Sequence, residues 1–192
     1  MPLHVAILYG SVRQARAGIR IVRWLDGALQ RRGHTTSVID PMELRLPLLD
    51  RMYKEFKPGE APPVLEELAQ IYRRTDVFAI VGGEYNNGIP PALKNLLDHF
   101  LEEYFFRPSA IICYSAGAFG GVRGAMQLRM TLAELGMPSI PSLLPVPRVQ
   151  DAFTSEGVPT DPRFEPRSDK FFKELEWYGE ALRRQRAEGV PY

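Results

Sequence analysis

The stretch LHVAILYGSVRQARAG, residues 3–18, contains the pattern on which the interpretation of the whole chain depends. Residues 3–9 are nearly all apolar and Gly10 ends them, which is typical of a strand buried on both faces. A polar loop follows, and apolar residues then recur at helical spacing over residues 18–32. The stretch therefore predicts a strand, a loop and a helix in that order.

The same alternation continues along the rest of the chain. Further strands are predicted at residues 35–39, 77–81, 110–114 and 140–146, and further helices at residues 62–74, 91–100, 122–135 and 169–187. Residues 41–59 and 149–168 have no clear period and are predicted to be long connections. Five strands alternating with five helices predict an α/β fold, in which helices cover both faces of one parallel sheet.

Composition excludes several classes of protein. The chain has 192 residues, with 24 Lys and Arg against 23 Asp and Glu, and this length fits a single domain spanning residues 1–192. A net charge of +1 without a basic block argues against a nucleic-acid partner. One cysteine and three histidines argue against a disulfide framework or a metal centre. Without a signal peptide or a bilayer-spanning apolar run, we expect a cytoplasmic protein with no membrane partner.

The loop after the first strand is suited to a phosphate. Sheets of this class bind ligands beyond the carboxyl ends of their strands, and a helix N-terminus there offers free N–H groups to an anion. Ser11 adds a hydroxyl, Arg13 an oxyanion-binding fork and Arg16 a second positive charge. The loop lacks the Gly-Lys-Ser/Thr of a Walker A motif, and Val12 replaces the second glycine of a dinucleotide fingerprint.

Glycine-rich loops also follow the third and fourth strands, at residues 82–91 and 115–123. Their glycines let the backbone approach a ligand closely, and Tyr85 offers a ring face. Polar atoms in the first of these loops come from Glu84, Asn86 and Asn87. Each loop by itself is also compatible with an ordinary turn or a flexible connection. Together the three loops favour a planar heteroaromatic group on a stem ending in phosphate, and FMN fits that description better than a dinucleotide.

These motifs resemble those of the NAD(P)H-dependent FMN reductases of the flavodoxin-like superfamily. The matching segments are residues 10–13, 84–86, 90–95, 115–117 and 120–121, in the family's order and spacing. The resemblance implies a flavodoxin-like three-layer α/β/α sandwich whose five-stranded parallel sheet has the order 2-1-3-4-5. It also implies FMN as the cofactor, NADPH or NADH as co-substrate, and a homodimer or homotetramer.

The resemblance also assigns residues to the two ends of the flavin. The phosphate would be held by Ser11, Arg13, Arg16, Ala17 and Gly18. The isoalloxazine would contact Glu84, Tyr85 and Asn86, with Asn87 beside them, and on its opposite edge Ser115, Gly117, Gly120 and Gly121. Many family members have a serine where this chain has Ala17, so Arg16 or the backbone is expected to take over that serine's role.

The implied activity passes hydride from NAD(P)H to FMN and then electrons to a small-molecule acceptor: a flavin, a quinone, an azo compound or a metal oxyanion. Because the cofactor carries the hydride chemistry, no catalytic triad is required. Cys113 is predicted to be inert core and His99 to be a polar surface or interface residue. Phe100, Tyr104, Phe105 and Phe106 indicate either core packing or a subunit interface.

Two other functions are weighed against this one. The first is a flavodoxin-like electron carrier without pyridine-nucleotide activity; such carriers are usually acidic, so the charge of +1 argues mildly against it. The second is a Rossmann-type dehydrogenase, for which Asp40 stands near the position of the ribose-binding acid. Val12 argues against the dehydrogenase, and Asp40 followed by Pro41 is more typical of a turn.

Overall fold

A computed structural model describes all 192 residues. Five parallel strands form one sheet in the order β2-β1-β3-β4-β5, as the resemblance implied. The strands are β1 (His4–Tyr9), β2 (Thr35–Ile39), β3 (Val77–Gly83), β4 (Ser109–Tyr114) and β5 (Ser139–Val146). The helices are α1 (Ile19–Arg31), α2 (Pro41–Leu44), α3 (Pro63–Arg74), α4 (Pro91–Asp98), α5 (Val122–Glu134), α6 (Val149–Ala152) and α7 (Phe164–Glu188). Two single turns of 3₁₀ helix lie at Tyr53–Glu55 and Glu102–Tyr104.

The helices cover the sheet on both faces. Alternate side chains of β1, β3 and β4 pack on one face against α1 and α7, and the others pack on the opposite face against α3, α4 and α5. This explains why those strands are continuous apolar runs in the sequence, since neither face meets water. The predicted three-layer α/β/α sandwich is confirmed.

The irregular segments contain more structure than their sequence indicates. Helix α7 begins at Phe164, five residues before the predicted start, and buries Phe164 edge-on against Trp24 at 4.9 Å between ring centroids. Pro166 lies in the first helical turn, where its missing N–H costs nothing. Strand β3 extends through Gly82 and Gly83, so these two residues end the strand rather than belong to the loop.

Several aromatic and reactive side chains singled out in the sequence lie in the hydrophobic core. Phe100 and Tyr104 are fully buried, so core packing is the correct interpretation for both. Cys113 is buried too, and its burial raises the pKa of the thiol to about 12.

The prediction that His99 lies at a surface is wrong. Its side chain is buried and its Nε2 forms a hydrogen bond with the carbonyl of Pro47 at 3.1 Å, because residues 47–49 cover the end of α4.

No helix has both the length and the apolar character needed to cross a membrane.

Candidate functional site

A cavity of about 390 Å³ opens beyond the carboxyl ends of β1, β3 and β4. The three loops that the sequence singles out converge on it, as expected for parallel strands whose ends share one sheet edge. The predicted site residues that line it are Ser11, Arg13, Arg16, Ala17, Glu84, Tyr85 and Ser115. The predicted residues that do not line it are Gly18, Asn86, Asn87, Gly117, Gly120 and Gly121.

The loop between β1 and α1 offers donors that the protein itself leaves free. The backbone N–H groups of residues 14–18 donate no hydrogen bond within the protein. Arg13 forms no ion pair, and its side chain lines the cavity beside buried Ser11. A row of unbonded N–H groups next to an unpaired guanidinium suits a phosphate dianion.

Arg16 is held differently from Arg13. Its Nη1 donates to Oδ1 of Asp40 at 2.5 Å and to the carbonyl of Ser11 at 3.3 Å, and both charged side chains are largely buried. The Asp40 carboxylate raises the pKa of Arg16 and offsets its charge. Asp40 also accepts the N–H of Met42 and so caps α2, which agrees with the turn interpretation of Asp40. Arg16 therefore fixes the shape of the loop between β1 and α1 and adds little free positive charge.

The loop after β3 is a tight turn. Tyr85 and Gly88 exchange backbone hydrogen bonds of 3.1 and 2.9 Å, and the two residues between them, Asn86 and Asn87, have φ angles of +49° and +65°. Positive φ at both central positions is what a type I′ turn requires, and asparagine tolerates it better than most residues. The asparagines thus form the turn that presents Tyr85 to the cavity.

Glu84 anchors this turn to the neighbouring helix. Its Oε2 accepts the N–H of Gly124 at 2.8 Å, in the first turn of α5. A carboxylate at that position also interacts favourably with the positive end of the helix dipole. Glu84 is therefore a positioning residue as well as part of the cavity wall.

Sequence reasoning missed Tyr114, which packs against glycines in three separate segments of the chain: Gly18, Gly83 and Gly121. A Cβ added at Gly18 would lie 2.4 Å from Cζ of Tyr114, and one at Gly83 would lie 3.0 Å from it. A Cβ at Gly121 would meet the Tyr114 carbonyl oxygen at 2.6 Å. The absence of a side chain at Gly18 and at Gly121 therefore makes room for Tyr114. Burial raises the pKa of Tyr114, so the phenol that lines the cavity stays protonated.

The loop after β4 leaves its backbone donors free. None of the N–H groups of residues 116–121 donates a hydrogen bond within the protein. The loop is held from its carbonyl side, because Gly117 O accepts Oγ of Ser115 at 3.2 Å and the N–H of Arg148 at 3.0 Å. Val149 and Gln150 of α6 complete the wall, and sequence reasoning missed both because their segment has no periodicity.

These features fit FMN. The cavity is lined by Arg13, by residues 15–17 and Ala116, whose N–H groups are unbonded, and by the aromatic ring of Tyr85. Residues 3–151 match the family described as NADPH-dependent FMN reductase. The chain belongs to this family. The predictions of family, oxidoreductase class and FMN as cofactor are confirmed.

Individual relatives agree with the family match. The chain is 29% identical over 144 residues to a quinone reductase of Pseudomonas putida, covering 70% of this chain and 72% of the relative. It is 29% identical over 169 residues to an NAD(P)H-dependent FMN reductase of a Nectria species, covering 80% of this chain and 82% of the relative.

Solved structures share the fold. A flavoenzyme NAD(P)H:(acceptor) oxidoreductase of Paracoccus denitrificans superposes with a TM-score of 0.72 at 19% identity, covering 95% of this chain and 98% of the other. An NAD(P)H:quinone oxidoreductase of Methanothermobacter marburgensis gives 0.59 at 17% identity, with the same coverage. The observed strand order differs from the 3-2-1-4-5-6 order of a Rossmann dehydrogenase, which argues against that alternative.

Proposed function

We propose that this chain holds FMN in the 390 Å³ cavity and uses it to pass reducing equivalents from NADPH or NADH to a small-molecule acceptor. The observation that carries the proposal is the convergence of Arg13, residues 15–17 and Ala116 on one cavity, because the backbone N–H groups of residues 15–17 and of Ala116 donate no hydrogen bond within the protein. In this proposal residues 1–192 form one FMN-binding domain, since α7 packs in the same core as α1.

Each part of the site has a role in the proposal. Ser11, Arg13 and the N–H groups of residues 14–18 bind the phosphate, and Arg16 with Ala17 and Gly18 shapes that loop. The N–H of Ala116 binds the polar edge of the ring, the rest of the loop through Gly121 supports it, and Tyr85 packs beside the ring. Bound FMN supplies the hydride and electron-transfer chemistry. The chain binds and orients the cofactor, and the buried ring of Tyr114 forms part of the cavity wall.

We propose a quinone as the acceptor class, because a quinone reductase is among the relatives and the cavity wall includes Tyr85. A flat, neutral ring matches an aromatic wall better than a compact anion does. Steady-state rates with a quinone, a free flavin, an azo compound and chromate test this. A rate with chromate or the azo compound that exceeds the quinone rate would overturn the quinone assignment.

We further propose that the protein acts in the cytoplasm as a homodimer or homotetramer. Met126 and Met130 lie one turn apart on α5 with 46% and 69% of their surface exposed, which supports an apolar subunit contact. Light scattering after gel filtration measures the assembly, and a monomeric mass would contradict it.

The decisive experiment is purification followed by anaerobic reduction. We expect protein that carries the visible absorbance of flavin and loses it on addition of NADPH or NADH. An electron carrier would carry flavin that only dithionite reduces, and a Rossmann dehydrogenase would carry no flavin. Colourless protein that takes up no added FMN would refute the proposal.

A further inference from the structure

Three hydroxyl groups lie together where the carboxyl ends of β1 and β4 approach the N-terminus of α1. They belong to Tyr9, Ser11 and Tyr114, which we call the hydroxyl cluster. Burial raises the pKa of the Tyr9 phenol, and the adjacent hydroxyls of Tyr114 and Ser11 lower it. Both tyrosines lie outside the segments that resemble the FMN reductases, so no motif assigns them a role.

Two glycines let the Tyr114 side chain reach this place. Strand β3 lies between β1 and β4, and its Gly83 pairs with Tyr114 in the sheet. A Cβ on Gly83 would lie 3.1 Å from Oη of Tyr114, and a Cβ on Gly18, the N-cap of α1, would lie 2.5 Å from the same atom. The ring therefore lies across the end of β3, and its hydroxyl ends beside the first residues of α1, where free N–H groups favour an anion.

The hydroxyl cluster has donors but no acceptor within the protein. Oη of Tyr9 is fully enclosed and has no hydrogen-bond partner, and Oγ of Ser11 only accepts the N–H of Arg13, at 3.4 Å. Oη of Tyr114 is also without a partner, but it is not fully enclosed, and Tyr114 lines the cavity. Because buried hydroxyls without a partner are costly, the cluster is suited to an acceptor that enters from the cavity.

Tyr9 can act on such an acceptor only through a neighbour. The guanidinium of Arg16 lies over its ring at 5.3 Å from the centroid, and Arg16 is itself bound to Asp40. The enclosed hydroxyl of Tyr9 can donate to Oη of Tyr114. A phenol that accepts one hydrogen bond becomes a stronger donor in its turn, because hydrogen bonds in a chain polarise one another.

We propose that Tyr114 donates a hydrogen bond from its phenol to the phosphate of FMN, and that Tyr9 is a positioning residue that donates to Tyr114. This role rests on the proposed function and adds two residues to its phosphate site. A phosphate has three strongly accepting oxygens, so it can take a hydrogen bond from below in addition to those from Arg13 and the N–H groups of the loop. Burial raises the pKa of Tyr114, so its hydrogen is available to donate.

A comparison of FMN with riboflavin, which lacks only the phosphate, tests Tyr114 without any turnover. The full-length protein, freed of bound flavin, is titrated with each flavin and its fluorescence is followed. We expect Tyr114→Phe to raise the dissociation constant of FMN about tenfold or more and that of riboflavin less than about twofold, because the lost hydrogen bond goes to a charged group. The denaturation midpoint of the flavin-free protein should not fall, since the ring stays and the removed hydroxyl has no partner there.

Tyr9→Phe tests the positioning role. We expect it to raise the dissociation constant of FMN about two- to fivefold and to leave riboflavin binding unchanged. In the double variant Tyr9→Phe/Tyr114→Phe it should have no further effect, because Tyr9 acts only through Tyr114. The ³¹P resonance of bound FMN should move in both single variants, which a role confined to ring packing would not cause.

Tyr72→Phe is the matched control. Tyr72 is fully buried and its hydroxyl has no partner, as in Tyr9, but it packs on the opposite face of the sheet, on α3. This variant should bind both flavins as the unaltered protein does and leave the ³¹P resonance in place.

Equal losses of FMN and riboflavin affinity in Tyr114→Phe would overturn the assignment, because the hydroxyl would then contact another part of the flavin. Unchanged affinity for both flavins would overturn it as well, and additive losses in the double variant would overturn the role of Tyr9. Failure of the proposed function gives a different pattern, since the unaltered protein would then bind neither flavin.

Discussion

Replacing Gly18 by alanine tests the packing on which the candidate site depends. Gly18 has φ −63° and ψ −15°, a conformation that alanine adopts readily, so backbone strain contributes little. The new methyl would lie 2.4 Å from Cζ and 2.5 Å from Oη of Tyr114, whereas carbon atoms prefer about 3.5–4.0 Å. The ring also packs on Gly83, where a Cβ built in the same way would lie 3.0 Å from Cζ, so Tyr114 is confined at more than one glycine.

We expect Gly18→Ala to lower the free energy of unfolding by about 2 kcal/mol, within the range for overpacked sites. For a chain of this size that corresponds to a fall in Tm of roughly 4–8 °C. Because Tyr114 lines the cavity, FMN affinity should fall as well. Chemical denaturation measures the first effect, and a flavin fluorescence titration measures the second.

Gly27→Ala in the same helix is the control. A Cβ there meets only the terminal Nη1 of the flexible Arg31 side chain, at 3.3 Å. Since alanine is about 1 kcal/mol better than glycine within a helix, this variant should be more stable than the unaltered protein. The reasoning is refuted if Gly18→Ala is as stable as Gly27→Ala, or if it binds FMN normally.

Further predictions concern single charged or reactive groups. Arg13→Ala should raise the FMN dissociation constant roughly 10- to 100-fold with an unchanged denaturation midpoint, and normal flavin retention on dialysis would contradict the phosphate assignment. Arg16→Gln leaves buried Asp40 without its cation and should lower the free energy of unfolding by about 3 kcal/mol. The double variant Arg16→Gln/Asp40→Asn should regain part of that loss. A double variant no more stable than Arg16→Gln would show that the lost ion pair does not cause the destabilisation. With its pKa raised to about 12, Cys113 should resist a thiol reagent at about pH 8 until denaturant is added, and rapid labelling of the folded protein would contradict its burial. The raised pKa of Cys113 also lowers the free energy of unfolding above about pH 9, because at that pH the thiol ionises in the unfolded chain but not in the folded one.

Much of the fold is determined by local features of the sequence and could therefore be predicted. The apolar runs of β1, β3 and β4 follow from burial on both faces, and the boundaries of α3 follow from Pro63 and from its apolar stripe. The start of α7 could not be predicted from periodicity, because Phe164 is helical by virtue of its contact with Trp24, far away in the sequence.

The candidate site also has features that the sequence could predict and features that it could not. The sequence alone identified the three loops and named Ser11, Arg13 and Tyr85, which line the cavity. It could do so because the composition of a loop and its position after a strand can both be recognised in the amino-acid sequence. It predicted Arg16 and Glu84 as ligand-binding groups, and both line the cavity, but it could not predict that Arg16 is also bound to Asp40 and Glu84 to Gly124.

By itself, then, the sequence determined the order of strands and helices and the composition of the three loops, since propensity, hydrophobic period and glycine content act over a few neighbouring residues. The tertiary structure alone decided which donors face the cavity and which are used up in holding it together. Tyr114 shows why: its place depends on Gly18, Gly83 and Gly121 in three separate segments of the chain, and only the folded sheet brings their backbones within contact distance.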